Sequence, residues 1–218
     1  YDNKGDLIYM INIIRYTVGV LKTNCYLIED LKTGKVAMVD PGGSSKDLNI
    51  KVEEYKNKIE YILLTHGHFD HIKAVKKYKD ITGAKLVAYR GEENLILNPD
   101  LNLSARYVSR RGLDKFKIDI LLSDLDTIML GDTKITLIHT PGHTAGSCCY
   151  IVDGNIISGD TLFRGDIGRT DLATGSQNDI LKSLKRLSNL EGDYRVFPGH
   201  GEETTLNFER CNNNYLKS

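Results

Sequence analysis

The chain has 218 residues, enough to bury a substantial core without staples, and its 29 Lys plus Arg balance 29 Asp plus Glu to a net charge of zero. No segment concentrates positive charge as a nucleic-acid or acidic-lipid surface would, and no apolar run approaches the ~20 residues of a membrane span, so neither partner is expected. The cysteines Cys25, Cys148, Cys149 and Cys211 form no C-x-x-C pair, and the neighbours Cys148 and Cys149 suit an ordinary disulfide poorly. Free thiols in a soluble, cytoplasmic protein are the expectation.

The chain opens on Tyr1, and Met10 is a candidate native start, so residues 1–9 read as an upstream segment and 10–218 as one domain. Strands are expected over Met10 to Tyr16, Cys25 to Glu29 and Val36 to Val39, the last two joined by the turn at Thr33-Gly34. Ser44 to Lys58 carries apolar residues at Leu48, Val52 and Tyr55 and reads as a capped helix. A strand over Ile59 to Thr65, a helix from Ile72 to about Thr82 and a strand over Lys85 to Tyr89 follow, and then a short helical stretch broken by Asn98-Pro99. Residues 100–120, with Arg106, Arg110 and Arg111, read as a solvated loop, and as a lid over a site in second place. From Leu121 a second strand-rich block begins: Thr127 to Leu130, Lys134 to His139, Ser147 to Val152 and Asn155 to Ser158, with turns at Gly131-Asp132 and Asp153-Gly154. A helix over Gln177 to Leu190, a strand over Tyr194 to Phe197 and a closing helix over Thr204 to Leu216 complete it. Two strand-rich halves, each with helices, predict two packed sheets with helices outside.

Chemistry concentrates in His66-Gly67-His68-Phe69-Asp70-His71, directly after the apolar run Ile62-Leu63-Leu64. Three imidazoles and a carboxylate in six positions, out of six His in the chain, form a metal-ligand pattern rather than a scatter of core histidines. His143, Asp160 and His200 likewise fall just past apolar strands, each with a Gly within two residues, so one sheet edge can collect the whole set.

The order H-x-H-x-D-H, then Thr140-Pro141-Gly142-His143, then Gly159-Asp160-Thr161-Leu162-Phe163, then Pro198-Gly199-His200 resembles the metallo-β-lactamase superfamily from Met10 onward. The resemblance implies an α/β, αββα sandwich of two mixed sheets with helices outside. It implies that His66, His68 and His143 hold one metal, that Asp70, His71 and His200 hold a second, and that Asp160 bridges them. Asp rather than Cys at position 160 speaks against the zinc β-lactamases, and His68 rather than Glu against the flavodiiron branch. Gly159 to Gly165 and Ile167-Gly168-Arg169-Thr170-Asp171 look most like the short glyoxalase II-like hydrolases. Glyoxalase II proper adds a C-terminal helical domain that supplies much of its glutathione contact, whereas this sequence ends 18 residues after His200, which leaves the thiol carrier open.

The implied activity is a dinuclear zinc thioesterase acting on hydroxyacyl thioesters, with Asp70 and Asp160 as its catalytic carboxylates and iron or manganese as alternative metals. Metal-bound hydroxide would attack the thioester carbonyl, and a thiol of pKa near about 8.5 leaves as thiolate without a general acid. The rival reading is a persulfide dioxygenase with one iron on His66, His143 and Asp160. From a different class comes a non-catalytic metal-binding member, although structural zinc sites are closed and mostly thiolate. His139, on a strand, reads as structural, and Asp40 as either a turn residue or a hydrogen-bond partner of a ligand. Arg164 and Arg169 are expected in salt bridges, for instance with Asp166 or Asp171, ahead of contact with a substrate carboxylate. Oligomeric state is left open.

Overall fold

The computed structural model describes residues 10–217; the expectation for residues 1–9 lies outside them. The first half lays down β1 (Ile11–Val18), β2 (Thr23–Asp30) and β3 (Val36–Val39) as antiparallel neighbours. Helix α1 (Lys46–Tyr55), opened by the Ser45 hydroxyl accepting from Leu48 N, returns the chain so that β4 (Ile59–Leu63) lies parallel to β3. Next come α2 (Phe69–Ile72), α3 (Val75–Thr82) and β5 (Lys85–Tyr89), and then a 3-10 turn (Arg90–Glu92), α4 (Glu93–Leu97) and α5 (Ser104–Tyr107) lead to β6 (Ile120–Leu122). The sheet runs β1-β2-β3-β4-β5-β6.

The second half forms β7 (Thr127–Leu130), β8 (Thr133–His139), β9 (Cys148–Val152) and β10 (Asn155–Gly159), each antiparallel to the next. A two-strand hairpin of β11 (Leu162–Phe163) and β12 (Asp166–Ile167) precedes α6 (Gln177–Ser188). After that, β13 (Arg195–Pro198) pairs parallel to β10, and β14 (Thr204–Thr205) and α7 (Leu206–Asn212) close the described chain. This sheet runs β14-β13-β10-β9-β8-β7.

Strand alternation explains the layering. In β2, Tyr26 and Ile28 face the second sheet, meeting Leu137, Tyr150 and Phe197, while Cys25 and Leu27 face outward onto Leu48 and Val52 of α1 and Val75 and Tyr78 of α3. The two neighbouring cysteines split the same way: Cys148 lies in the inter-sheet core, and Cys149 lies under Ile180, Leu184 and Leu187 of α6. Helix, sheet, sheet, helix is the resulting order, the expected αββα sandwich. Because β3 is buried on both faces, its Val-Ala-Met-Val run is apolar throughout rather than alternating.

Several local expectations need correction. The helix expected from Ile72 to Thr82 is two helices, because Ala74 N donates to Pro41 O at 2.8 Å and Ala74 sits at φ −102°, ψ 8°. Residues 100–120 are not wholly loop, since they include α5. The Leu121 strand joins the first sheet beside β5 rather than the second block. The closing helix is shorter than expected, because Thr204–Thr205 pair with β13 and Asn213 is already extended.

Gly42 is where the β3–α1 connection touches the His-rich segment. A Cβ there would lie 1.3 Å from Asp70 O and 2.4 Å from Asp70 C, backbone atoms that cannot turn aside. Gly42→Ala is therefore expected to lose roughly 3 kcal/mol or more in a urea melt.

Candidate metal centre

Four strand ends deliver the side chains. Thr65 to His71 follow β4, His143 follows β8, Asp160 follows β10 directly, and His200 lies two residues past β13. Since β10 and β13 are parallel neighbours, and Cys148 N at the start of β9 donates to Thr65 O at 2.9 Å, these ends share one rim of the sandwich.

All seven residues meet there. The ligand atoms of His66, His68 and His143 lie within 4.8 Å of one another, and those of Asp70, His71 and His200 form a second such group. Asp160 stands between them: Oδ2 is 3.5 Å from His143 Nε2 and 3.6 Å from His200 Nε2, and Oδ1 is 3.4 Å from His71 Nε2. In the second group, His71 Nε2 is 3.3 Å from His200 Nε2 and 3.5 Å from Asp70 Oδ2.

Whether such a set fits cations is a matter of distance and lone pairs. Donors bound tetrahedrally at about 2.0–2.1 Å from one ion sit about 3.3 Å apart, close to most of these separations and long for a hydrogen bond. Ring orientation agrees. His143 Nδ1 donates to Arg169 O at 2.8 Å, His200 Nδ1 to Leu21 O at 3.1 Å and His71 Nδ1 to Asp40 Oδ2 at 2.9 Å, so each Nε2 turns a lone pair inward. The Thr65 hydroxyl donates to Asp40 Oδ2 at 2.6 Å and so accepts from His66 Nδ1 at 3.2 Å. His66 Nε2 and Asp160 Oδ1 are buried without a hydrogen-bond partner, an arrangement that costs free energy unless a cation supplies the partner. The residues present fit a pair of divalent cations.

Electrostatics divide the imidazoles: His66 and His68 resist a proton, whereas His71 sits among carboxylates that favour positive charge there, whether a proton or a metal ion supplies it. Burial and the neighbouring imidazoles hold His66 well below its ordinary value, and burial together with His143 pulls His68 down to about 3. Burial also depresses His71, but Asp160, Asp70 and Asp40 outweigh it and lift this ring to about 10. For Asp70, burial raises the carboxyl, and His71, His200 and the Thr23 hydroxyl more than reverse it, to below the usual carboxylate range.

Close approach is secured by glycine. A Cβ on Gly199 would fall 2.2 Å from Asp160 Oδ1, and one on Gly168 would fall 1.8 Å from Asp160 O. Asp40 is the partner of a ligand rather than a bare turn residue, accepting from Thr65 N, the Thr65 hydroxyl and His71. Asp40→Asn would offer an N–H where His71 Nδ1–H needs an acceptor. The expected result is a zinc affinity about 10–100-fold weaker, read by competition with a chelating dye.

Glu92 was missed in the sequence. It is 2% exposed; Oε1 accepts from Gly67 N (3.0 Å) and the Thr144 hydroxyl (2.7 Å), and Oε2 accepts from Gly146 N (2.9 Å). One carboxylate thus ties the His66–His68 loop to the loop after His143. A lone Glu with no motif spacing gave no signal of this. The other candidates lie outside the cluster. His139 stacks on Tyr89 at 4.2 Å with Nε2 2.9 Å from Ala145 O, Arg169 pairs with Asp171 through two 2.7 Å bonds, and Arg164 lies over the Phe208 ring. Cys25, Cys148 and Cys149 are buried free thiols, and Cys211 is an exposed one. Among the described residues, no helix is long and apolar enough to cross a membrane.

Known proteins resemble this chain in sequence and fold. The sequence profile of the metallo-beta-lactamase superfamily matches residues 18–200. Hydroxyacylglutathione hydrolase GloC of Haemophilus influenzae is 32% identical over 211 residues, 95% of this chain and 99% of that protein. The crystal structure of the BLEG-1 B3 metallo-beta-lactamase superposes with a TM-score of 0.87 at 31% identity, covering 95% of this chain and all of that one. TTHA1623 in a di-iron-bound form superposes at 0.79 with 30% identity, covering 93% of this chain and all of that one. With the profile spanning most of the sandwich and every strand end that carries a donor, the chain belongs to the metallo-beta-lactamase superfamily, a family of metallo-hydrolases.

Proposed function

We propose that this chain is a dinuclear zinc hydrolase of hydroxyacyl thioesters, with His66, His68 and His143 on one ion, Asp70, His71 and His200 on the other, and Asp160 bridging. One observation carries the reading: the Asp160 carboxylate reaches both donor groups at 3.4–3.6 Å while Oδ1 has no hydrogen bond of its own. When bound, the two cations supply Lewis acidity and a water that ionises near pH 7.

The chain's own residues supply orientation and charge. Asp40, Leu21 O and Arg169 O hold three imidazoles in the tautomer that faces inward. Asp70, held ionised at acid pH and gripped by the Thr23 hydroxyl at 3.0 Å, keeps a fixed negative charge opposite His200. A thioester matches such a site because its thiol leaves as thiolate, whereas an amide leaving group needs a proton. GloC, matched over 99% of its length, supports a hydroxyacyl thioester with glutathione as the carrier.

Zinc is favoured by the His-rich donor set, and the di-iron form of TTHA1623 makes iron the alternative metal. A single iron on His66, His143 and Asp160 would leave Asp70, His71 and His200 without a role. The test is turnover by the zinc-loaded protein on S-lactoylglutathione, other acyl thioesters and a cephalosporin, and by the iron-loaded protein on the same thioesters and on a glutathione persulfide with an oxygen electrode. Thiol release from a thioester is expected; oxygen uptake on the persulfide, or hydrolysis of the β-lactam alone, would refute the reading.

A further inference from the structure

Beside the cluster lies a cavity of about 360 Å³, lined by Gly19 and Val20 of the β1–β2 turn, by residues 42–44, and by Phe69, Asp70, Lys73, Ala74 and Lys77. It opens against the same Asp70 that faces His71 and His200, and Val20 on its rim is 83% exposed. The lysines of this stretch divide by position. Lys76 pairs with Asp80 and Lys79 with Asp119, both away from the cavity. Lys73, at the end of α2, and Lys77, in the first turn of α3, both line it.

Neither cavity lysine meets an acid. Lys77 donates to the Asn49 amide oxygen at 2.8 Å and lies 5.1 Å from the Tyr78 ring centre, both neutral, and Lys73 makes no hydrogen bond or ion pair among the described residues. Two ammonium groups on one lining, neither paired with a carboxylate among the described residues, give the cavity a positive character that an anion would meet. The only acid in the lining is Asp70, whose Oδ2 faces Thr23, His71 and His200. Apolar surface from Val20, Phe69 and Ala74 completes a pocket suited to a flexible chain with a negatively charged end.

We propose that this cavity is the subsite for the anionic tail of the thiol carrier, a carboxylate or phosphate held by Lys73 and Lys77 while the thioester reaches the rim beyond Asp70. The inference rests on the hydrolase reading above and names what that reading leaves open. It also separates charged carriers from neutral ones, because only the former gain from the two ammonium groups.

The experiment compares the zinc-loaded wild type with the Lys73→Gln/Lys77→Gln double variant on three thioesters of one acyl group, carried by glutathione, by coenzyme A and by uncharged N-acetylcysteamine. For the anionic carrier the subsite serves, KM is expected to rise about tenfold at unchanged kcat, the scale of two exposed charge contacts, and the rise should fade in roughly 0.5 M salt. KM for N-acetylcysteamine should stay the same. A response to glutathione alone identifies a carboxylate tail, and a response to coenzyme A alone a phosphate. An equal rise for the neutral carrier, or no rise for either charged one, overturns the subsite. If the wild type hydrolyses no thioester, the hydrolase reading fails separately and calorimetric binding of free glutathione and coenzyme A decides the subsite. Weaker binding by the double variant supports it; equal affinity or no binding by the wild type overturns it.

Discussion

Asp160→Ala should abolish thioester turnover while leaving the sandwich folded. Its carboxylate reaches donors of both sets at 3.4–3.6 Å, so in the proposed centre its loss removes the side chain that would address both ions together. Partners of metal ligands alone are worth about 10–100-fold, so a bridging ligand should cost at least about 100-fold in kcat. The metal-free protein should still fold, because Asp160 Oδ1 makes no hydrogen bond that the substitution would orphan. The rise in melting temperature that zinc gives the wild type should shrink, since a ligand stabilises in proportion to its affinity for the folded state. Turnover within threefold of wild type would remove Asp160 from the mechanism.

Glu92 carries the second large expectation. Truncation to Ala leaves Gly67 N and Gly146 N buried without acceptors, while the Thr144 hydroxyl can still turn to Ser147 Oγ at 2.7 Å. Two orphaned amides and a lost side chain should cost roughly 3–5 kcal/mol in a denaturant melt. Glu92→Gln keeps the volume but aims an N–H at a donor, for roughly 1–3 kcal/mol, and should weaken zinc binding at the proposed His66, His68 and His143 site. Burial pushes this carboxyl from its ordinary 4.5 up to about 7, against the bonds from Thr144, Gly67 and Gly146. A folded-state value above the unfolded one means that the folded protein holds more of this proton between those two pH values. Wild-type stability relative to Glu92→Gln should therefore be greatest below pH 4.5 and fall as pH rises to about 7. A flat difference across that range would show that Glu92 is ionised in the fold throughout.

What the sequence made legible was local. Strand positions followed from short apolar runs punctuated by Gly, Asp and Asn, and α6 from Ile180, Leu184 and Leu187 at helical spacing. The donors were readable because each follows such a strand, and a parallel or hairpin neighbour brings the ends together without further instruction. The failures are tertiary. Ala74 leaves the helix because Pro41 O, thirty-three residues earlier, takes its amide, and β6 pairs with β5 although β7, the strand that follows it closely in sequence, belongs to the other sheet. Glu92 was invisible for the same reason: its partners Gly67, Thr144 and Gly146 are brought to it by both halves of the chain, and a buried carboxylate without a motif looks like any surface Glu.

Metal stoichiometry tests the central assignment most directly. Protein equilibrated with excess zinc and freed of unbound ion should carry two zinc ions per chain by elemental analysis, falling to one or fewer in a His200→Ala or His143→Ala variant that remains folded. A wild-type protein that holds one ion or none, or variants that keep both, would contradict the paired centre.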